Sequence, residues 1–599
     1  MHRFAFACGL LVMLWTRAAD SCGGFFCSQV PVDQGGENIV FSVDGGTVTA
    51  HIQIRYVGEA EDFAWILPLP TEPDAPEVST DLLFLNLNQA TAPRFSVNWH
   101  DDQDCVYFSS GGAEAQADSS GGEGEEVAEP PAVKVEFQGA VGPYEAVVIT
   151  SDDAGAVTTW LADNGYDLPP ETTDLLGPYV AADYHFVALR LQNDLDVGDI
   201  VPIKVRFAWD RPCVPLRLTA IAATEDMWVR MWVFGEARSI PLNYRHVLID
   251  EAKVDWFSGG ANYAQVVTDA ADEAEGRAFV TEFAGRTAEL EATWGGNLFY
   301  TEGQFDLVAL AAIDDPAAFV DELLYQGFPS TPQTQQLLRT HIPMPQALVD
   351  KGVLEADFYN SLRYWQEQGF LDGLDFDPVA FAADLELLIV APLQDAQALV
   401  DGQPYLTRLF TTISPDEMTE DPMFGLGADL PDVASLHEAD IYTQCQGGTL
   451  QGFRIVLADG RIILVDADDD TRNWTYDDPS ATVTVPVDSN APLGTMARLR
   501  ADLPGSESAE QLYEDRQGAR VYDHGAAIDD ILARHNNAVD EGCSCALGAQ
   551  RTGRGPWGLL GVLALLATGS RMRRRRRNSR PAVVSSLAVY AAPRRAIND

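Results

Sequence analysis

The stretch Glu37-Asn-Ile-Val-Phe-Ser-Val-Asp-Gly-Gly-Thr-Val-Thr-Ala-His-Ile-Gln-Ile-Arg-Tyr56 alternates apolar and polar residues on both sides of Asp44-Gly45-Gly46. Ile39, Phe41 and Val43 share one face of the first arm; Val48, His51 or Ile52, Ile54 and Tyr56 pattern the second. A period of two interrupted by paired glycines predicts a β-hairpin. Residues 63–67 predict a third strand, stopped by Pro68-Leu-Pro70 because proline has no N–H to give a ladder. Ser79 or Thr80 then caps a helix through Leu82, Leu83, Leu85 and Leu87 that closes before Pro93.

Outward from this hairpin, strand patterns recur at 133–137, 144–150, 185–191, 200–209, 216–222, 228–234 and 247–249. Between them 157–162 and 170–182 predict a helical hairpin, with Gly165 as a C-cap and Pro170 opening the second arm. From Tyr263 the period shifts to about 3.6 residues. Helices are expected there and over 287–294, 316–324, 334–338, 344–351 and 356–368, with 298–300, 308–311 and 387–390 interrupting the helical style. Strands return at 405–413, 453–457 and 462–465, the last two as a hairpin across Ala458-Asp-Gly460, and short helices follow at 510–515 and 526–537.

The expected class is α+β, with a β-rich N-terminal domain and its packed helices over 20–255. A mainly helical region at 256–400, a small β-containing region at 401–500 and a helical or spacer segment at 501–542 follow. Residues 109–131, rich in Ser, Gly, Ala and Glu, cannot bury enough apolar surface to order themselves and are expected to be a disordered insert. No internal repeat period stands out, which argues against a solenoid.

The two ends read as delivery signals. Met1-His-Arg, the apolar run 4–15 and Ala18-Ala19 form a secretory signal peptide over 1–19. At the far end Cys543-Ser-Cys545 precedes an apolar run at 556–568, then Arg571 and Arg573, Arg574, Arg575, Arg576 and Arg577, with a basic extension at 578–599. Thirteen helical residues reach about 20 Å, short of a hydrocarbon core of about 30 Å, so the run is a minimal span; the arginines hold the following side in the cytoplasm.

The chain has 599 residues and a formal net charge of −51, and the arginine-dense tail leaves the body more acidic still. Such a surface repels nucleic acid and anionic lipid and attracts Ca²⁺ or polycations. Of eight cysteines, Cys22, Cys27, Cys105, Cys213 and Cys445 lie in a body expected to be exported, where disulfides persist. Cys22 with Cys27, around Gly-Gly-Phe-Phe, and Cys105 with Cys213 are the expected pairs.

The order of thiols, linker, short apolar helix and arginines resembles the MYXO-CTERM sorting tail of myxobacterial surface proteins over 543–577. That resemblance implies a sorting protease of the inner membrane as partner, cleavage near Cys543 or Cys545, and display at the cell surface or outer membrane from an inner-membrane precursor. The extension 578–599 departs from the pattern, and an ordinary C-terminal membrane anchor remains the alternative. A second resemblance rests on Cys22-Gly-Gly-Phe-Phe-Cys27, Pro31-Val-Asp-Gln-Gly-Gly-Glu-Asn-Ile-Val40, Phe63-Ala-Trp-Ile-Leu-Pro-Leu-Pro70, Thr91-Ala-Pro-Arg-Phe95 and Pro215-Leu-Arg-Leu-Thr219. Leu406-Thr-Arg-Leu409 and Glu417-Met-Thr419 extend it. Over about 22–437 the chain is similar to a bacterial family catalogued as domain of unknown function 2330, which implies export and brings no activity with it.

The sequence contains no His-Glu-x-x-His, Gly-x-Ser-x-Gly, Walker loop or strand-linked Gly-x-Gly-x-x-Gly. His437, Asp440 and Cys445 could form a thiol and imidazole set, and Asp81, Glu282 and Glu417 could supply a carboxylate pair acting on sugars if folding brings two together. Asp466, Asp468 and Asp470 suggest a calcium loop, but Thr471 stands where the turn wants Gly and Asp477 where it wants Glu; Asp372 to Asp377 is weaker still. Trp228, Trp232, Trp256 and Trp294 could line a carbohydrate platform, although buried aromatics are the commoner fate. No cofactor is expected beyond that calcium. The expected function is a non-enzymatic binding or scaffolding module of the cell envelope with an unidentified ligand; the alternative is a secreted hydrolase acting on cell-wall or polysaccharide substrates.

Overall fold

Alternation and the glycine pair produce the predicted hairpin. A computed structural model describes residues 33–57, 64–100, 134–166, 172–192, 200–427, 430–446, 449–466, 509–513 and 520–545. In it β1 (Asp33–Asp44) and β2 (Thr47–Val57) pair antiparallel around Gly45 and Gly46. Both glycines have positive φ, 55° and 84°, as a two-residue hairpin turn of this kind demands.

The chain continues through β3 (Ala64–Leu69), β4 (Glu77–Val78), α1 (Asp81–Thr91), β5 (Arg94–His100), β6 (Lys134–Val141), β7 (Tyr144–Thr150), α2 (Ala154–Asp163) and α3 (Thr172–Val180). Next come β8 (His185–Leu191), β9 (Ile203–Ala208), α4 (Leu216–Thr219), β10 (Ala223–Gly235), β11 (Arg238–Pro241), β12 (Arg245–Ile249), α5 (Tyr263–Glu273), β13 (Ala278–Arg286) and α6 (Thr287–Trp294). A helical run follows: α7 (Leu307–Ala311), α8 (Pro316–Tyr325), α9 (Pro332–His341), α10 (Gln346–Val349), α11 (Glu355–Asn360), α12 (Leu362–Glu367), α13 (Pro378–Leu385) and α14 (Ala391–Gly402). β14 (Tyr405–Ile413), β15 (Phe424–Gly427), β16 (Leu436–Gln446), β17 (Thr449–Leu457), β18 (Ile462–Asp466), β19 (Ala509–Tyr513), β20 (Arg520–Asp523) and α15 (Gly525–Cys545) complete it.

Ten strands form the central sheet in the order β20-β19-β12-β13-β14-β10-β1-β2-β9-β4, joining segments far apart in sequence. On one face Ile39, Phe41, Val229 and Met231 pack against Leu67, Leu69, Val148 and Val187 of a second sheet, β3-β8-β7-β6. That second sheet turns its other face, with Ile66, Ile149 and Phe186, to Val157, Leu161 and Leu176 of α2 and α3. The opposite face of the central sheet carries two separate apolar clusters. Val40, Trp232 and Phe234 meet α1 and the α7–α14 layer, whereas Val247, Val280 and Phe410 meet α5, α15 and the small sheet β18-β17-β16-β5. The class is α+β, strand-rich toward the N-terminus.

Several local expectations are corrected. β3 runs through Pro68, which pairs with Phe186: β3 is an edge strand, and an edge tolerates a residue with no N–H to donate. Residues 216–219 form one helical turn, α4, held where Arg217 N donates to Asp421 Oδ1 at 2.9 Å; their Leu-Arg-Leu alternation mimics a strand. Residues 308–311 lie in α7, and 387–390 in a π-helical turn, Glu386–Val390, that joins α13 to α14. Residues 509–513 form a strand, because pairing with β12 overrides their helical composition. The expected 356–368 helix is broken at Ser361 into α11 and α12.

Candidate functional site

The residues singled out from sequence are each committed to separate partners. Asp81 opens α1 behind the Thr80 cap, and its Oδ1 accepts from Gln53 Nε2 at 2.5 Å; burial raises its pKa, with Gln53 and Arg55 opposing. Glu282, on β13, is ion-paired with Arg408 of β14, both side chains fully buried. Glu417 caps a loop, its Oε2 accepting from Ser414 N at 2.9 Å. His437 binds Glu251 Oε1 through Nδ1 at 2.7 Å and stacks on Phe95, while Asp440 binds His100 at 2.8 Å. Cys445 is disulfide-bonded, so no thiol stands beside that imidazole.

Cys213 carries a free thiol, which corrects the expected pairing of Cys105 with Cys213. Its place in the loop before α4, against the second sheet, makes it part of a packed wall. Trp232 and Trp256 are fully buried and Trp294 is exposed, so the four tryptophans share no platform. Trp228 lies over Gly36, where an added Cβ would come within 2.0 Å of its Cε2. Asp466 ends β18. Cys22, Cys27, Cys105, Asp468, Asp470, the insert 109–131, the signal peptide, the apolar run 556–568 and the arginines from Arg571 to Arg577 lie outside the described residues. Cys543 and Cys545 fall at the backbone end of α15. Among the described residues no helix is long and apolar enough to cross a membrane, and no three His, Cys, Asp or Glu side chains gather as metal ligands do.

What the structure does assemble is a narrow pocket of about 20 Å³ between the central sheet and the second sheet. Its walls are apolar, with Phe41, Ile52 and Phe207 from the central sheet on one side and Leu67 and Leu69 from the second sheet on the other. Tyr179 and Tyr184 stand at one end with ring centroids 5.4 Å apart, tilted by 59°. Asp421 is fully engaged there: Oδ2 accepts from Tyr179 Oη at 2.7 Å and Oδ1 from Arg217 N. Burial pushes the Cys213 thiol far above its usual range, the reverse of nucleophile activation.

Glu37 is the unusual wall residue. A bulge between Gln34 and Gly36 resets the β1 register, and alternation then sets Glu37 on the face of Ile39 and Phe41, inside the cleft. It is buried, and its Oε2 has no hydrogen-bond partner among the described residues. Burial lifts its pKa to about 7, with Gln34 opposing only in part. The sequence held the signal for it: an acid on the apolar side of an alternating strand. Tyr179, Tyr184 and Asp421 gave none, because only the tertiary fold brings them together.

Three segments quoted above for their family likeness meet here, through Glu37 and Ile39, through Leu67 to Pro70, and through Pro215. No curated protein and no solved structure matches the chain. Residues 16–314 match the model of a family described as an uncharacterized protein conserved in bacteria, DUF2330; the match stops short of β14 and of Asp421, and across that front half the chain resembles this bacterial family.

Proposed function

We propose that this is an exported, surface-anchored protein of the bacterial cell envelope whose folded body binds or scaffolds without catalysing a reaction. The observation that carries the non-catalytic reading is the separate commitment of the candidate carboxylates: Asp81 to Gln53, Glu282 to Arg408 and Glu417 to the Ser414 amide. A glycosidic acid and base pair needs two carboxyl groups facing one substrate bond, and these three face structural partners. Export and anchoring draw their support from the signal peptide and from the Cys543 to Arg577 tail. Processing by an inner-membrane sorting protease near Cys543 or Cys545 would leave the acidic body on the surface.

Mass spectrometry of the native C-terminus tests the anchoring: a terminus near Cys543 is expected. Cell fractionation of a Cys543→Ser, Cys545→Ser variant should find unprocessed chain in the inner membrane. Normal surface display of that variant would refute the sorting step. Release of sugar or peptide from envelope polymers by the purified chain, abolished by Glu282→Gln or Asp81→Asn, would overturn the non-catalytic reading.

A further inference from the structure

We infer that the open edge of β5 takes up an extended segment of a partner polypeptide, which rests on the binding reading above and names the partner class. The segment adds a fifth strand to the small sheet, with apolar residues on its inner face and basic residues on its outer one. Among the described residues β5 has a neighbouring strand on one side only. It runs for seven residues, parallel to β16 and with no shift of register. Arg94 N donates to Ser435 O at 2.7 Å and Thr443 Oγ1 donates to His100 O at 3.4 Å, so the even-numbered residues turn their backbone groups to β16. Backbone direction alternates along a strand, and the N–H and C=O groups of Phe95, Val97 and Trp99 therefore point to the open side.

Such an edge is a template for another chain, and folded proteins blunt it with proline, charge, bulges, short strands or a cover. Among the described residues the other sheet edges are blunted in these ways. β3 carries Pro68, and β6 carries Lys134, Glu136 and a bulge between Val135 and Phe137. β4, β11, β15 and β20 are four residues long or shorter. The β18 edge is covered by α15: Asn536 Oδ1 accepts from Leu464 N at 2.9 Å, Asn536 Nδ2 donates to Ile462 O at 2.8 Å, and His535 Nε2 lies 2.8 Å from Leu464 O. β5 has no proline, lysine or bulge.

The two faces beside this edge select the segment. On the inner face Trp99, Ile441, Ile455 and Ile463 stand in one cross-strand row. Trp99 is 46 % exposed, with the rings of Phe257 and Phe453 each 6.1 Å from its own. An added strand lengthens that row, and an apolar residue opposite Trp99 covers its open flank. On the outer face Glu438 and Asp440 pair in register with Ser96 and Asn98, one strand in from the edge, and a Lys or Arg on the added strand reaches toward them. A second copy of this chain fits poorly. Each copy carries −51, and a two-fold pairing centred on Val97 would set Phe95 opposite Trp99, where the loop at Gly259 already stands against Phe95 O. The partner strand therefore engages Val97 and Trp99.

Isothermal titration and hydrogen exchange of the full-length protein with the peptide acetyl-Lys-Val-Lys-Val-Lys-Val-Lys-amide at physiological salt test this. The peptide is expected to bind and to slow amide exchange in residues 94–100. The same peptide N-methylated at its three central residues keeps its charge and loses the donors that face β5, and it should bind at least about tenfold more weakly. Val97→Pro removes an N–H that points away from β16, so the ladder is kept while peptide binding should fall at least about tenfold. The methylated peptide is tested on the wild-type chain, so that comparison stands even where the variant does not fold. Absent binding, equal binding of the methylated peptide, or protection confined to residues outside 94–100 overturns the assignment. A wild-type dimer in sedimentation that Val97→Pro dissociates would overturn it too, by placing a second copy on this edge. The non-catalytic reading would still stand in each case, since only turnover of an envelope polymer removes that.

Discussion

Arg408 and Glu282 face each other across β14 and β13 with both side chains fully buried. Arg408 also donates through Nη1 to Asn88 Oδ1 of α1 at 2.9 Å and lies 5.3 Å from the Trp232 ring centroid. One strand over, Arg230 donates to Asn38 Oδ1 at 3.1 Å, Asn38 Nδ2 to Gln53 Oε1 at 2.8 Å, and Gln53 to Asp81. A line of polar side chains thus crosses the central sheet on the face whose apolar contacts are divided between the α7–α14 layer and the α5 layer. Removing one member of the ion pair strands the other in a dry interior. Glu282→Leu or Arg408→Met is expected to cost about 3–5 kcal/mol in denaturant unfolding, and the two together markedly less than the two singles summed. Additive losses would show that the pair is not coupled.

Gly36 is expected to tolerate no side chain. A Cβ there would meet the Trp228 indole at 2.0 Å, on strands whose pairing fixes both backbones. Gly36→Ala should lose about 1–3 kcal/mol from overpacking. Trp228→Ala in the same chain should recover part of that loss, a coupling that a double-mutant cycle reads directly.

Much of this architecture was legible in the sequence, and the exceptions share causes. The β1–β2 hairpin, the Thr80 cap and α6 follow from alternation, capping chemistry and helical period. β13 was missed because Ala278 to Gly285 is buried on nearly all sides and has no polar alternation to betray it. Residues 387–390 and 308–311 are apolar runs too short to carry a period, and β19 is a strand because β12 pairs with it. The site was harder. Glu37 was visible as an acid in an apolar row, but the cleft facing it depends on β3, α3 and the segment around Asp421, which no local pattern connects.

Two buried histidines should make the fold acid-labile. His51, bonded to Ser79 Oγ at 2.8 Å, and His246, whose Nε2 lies 3.1 Å from the Arg238 guanidinium, are each lowered to about 3, chiefly by burial and next by Lys204 or Arg238. Nε2 of His246 must accept from Arg238, so the folded ring is neutral with its proton on Nδ1. Below an ordinary value of 6.5 the unfolded chain takes up protons that the folded chain refuses, so stability falls as pH drops from 6.5 toward 3. Each ring contributes a slope of about 1.4 kcal/mol per pH unit within that window. His51→Gln is expected to remove one such increment from urea unfolding between pH 4 and pH 6; an unchanged slope would contradict the neutral assignment.

Glu37 should act with the opposite sign. Its folded value stands at about 7 against an ordinary 4.5, so between those limits the folded chain holds a proton that the unfolded chain has lost. Its contribution is full below pH 4.5 and is lost as pH rises to about 7, on the order of 3 kcal/mol across the window. Glu37→Gln keeps the neutral shape at every pH and is expected to be more stable than wild type at pH 8 and nearly equal to it at pH 4, measured by urea midpoints at both.

The thiols give the last test. Cys213 is free and half-buried, so alkylation should reach it more slowly in the folded chain than in the unfolded one, whereas Cys445 should resist alkylation until a reductant is added. β5 runs parallel to β16 in a register that sets His100 beside Tyr442, three residues before Cys445. Cys105 lies five residues beyond His100 in the sequence, outside the described residues. Peptide mapping without reductant is expected to recover Cys105 joined to Cys445. Cutting that link with Cys445→Ser should cost about 2–5 kcal/mol, because the bond closes a long loop and spares the folded chain much of its entropic cost. Recovery of Cys445 joined to Cys22 or Cys27 instead would refute that pairing.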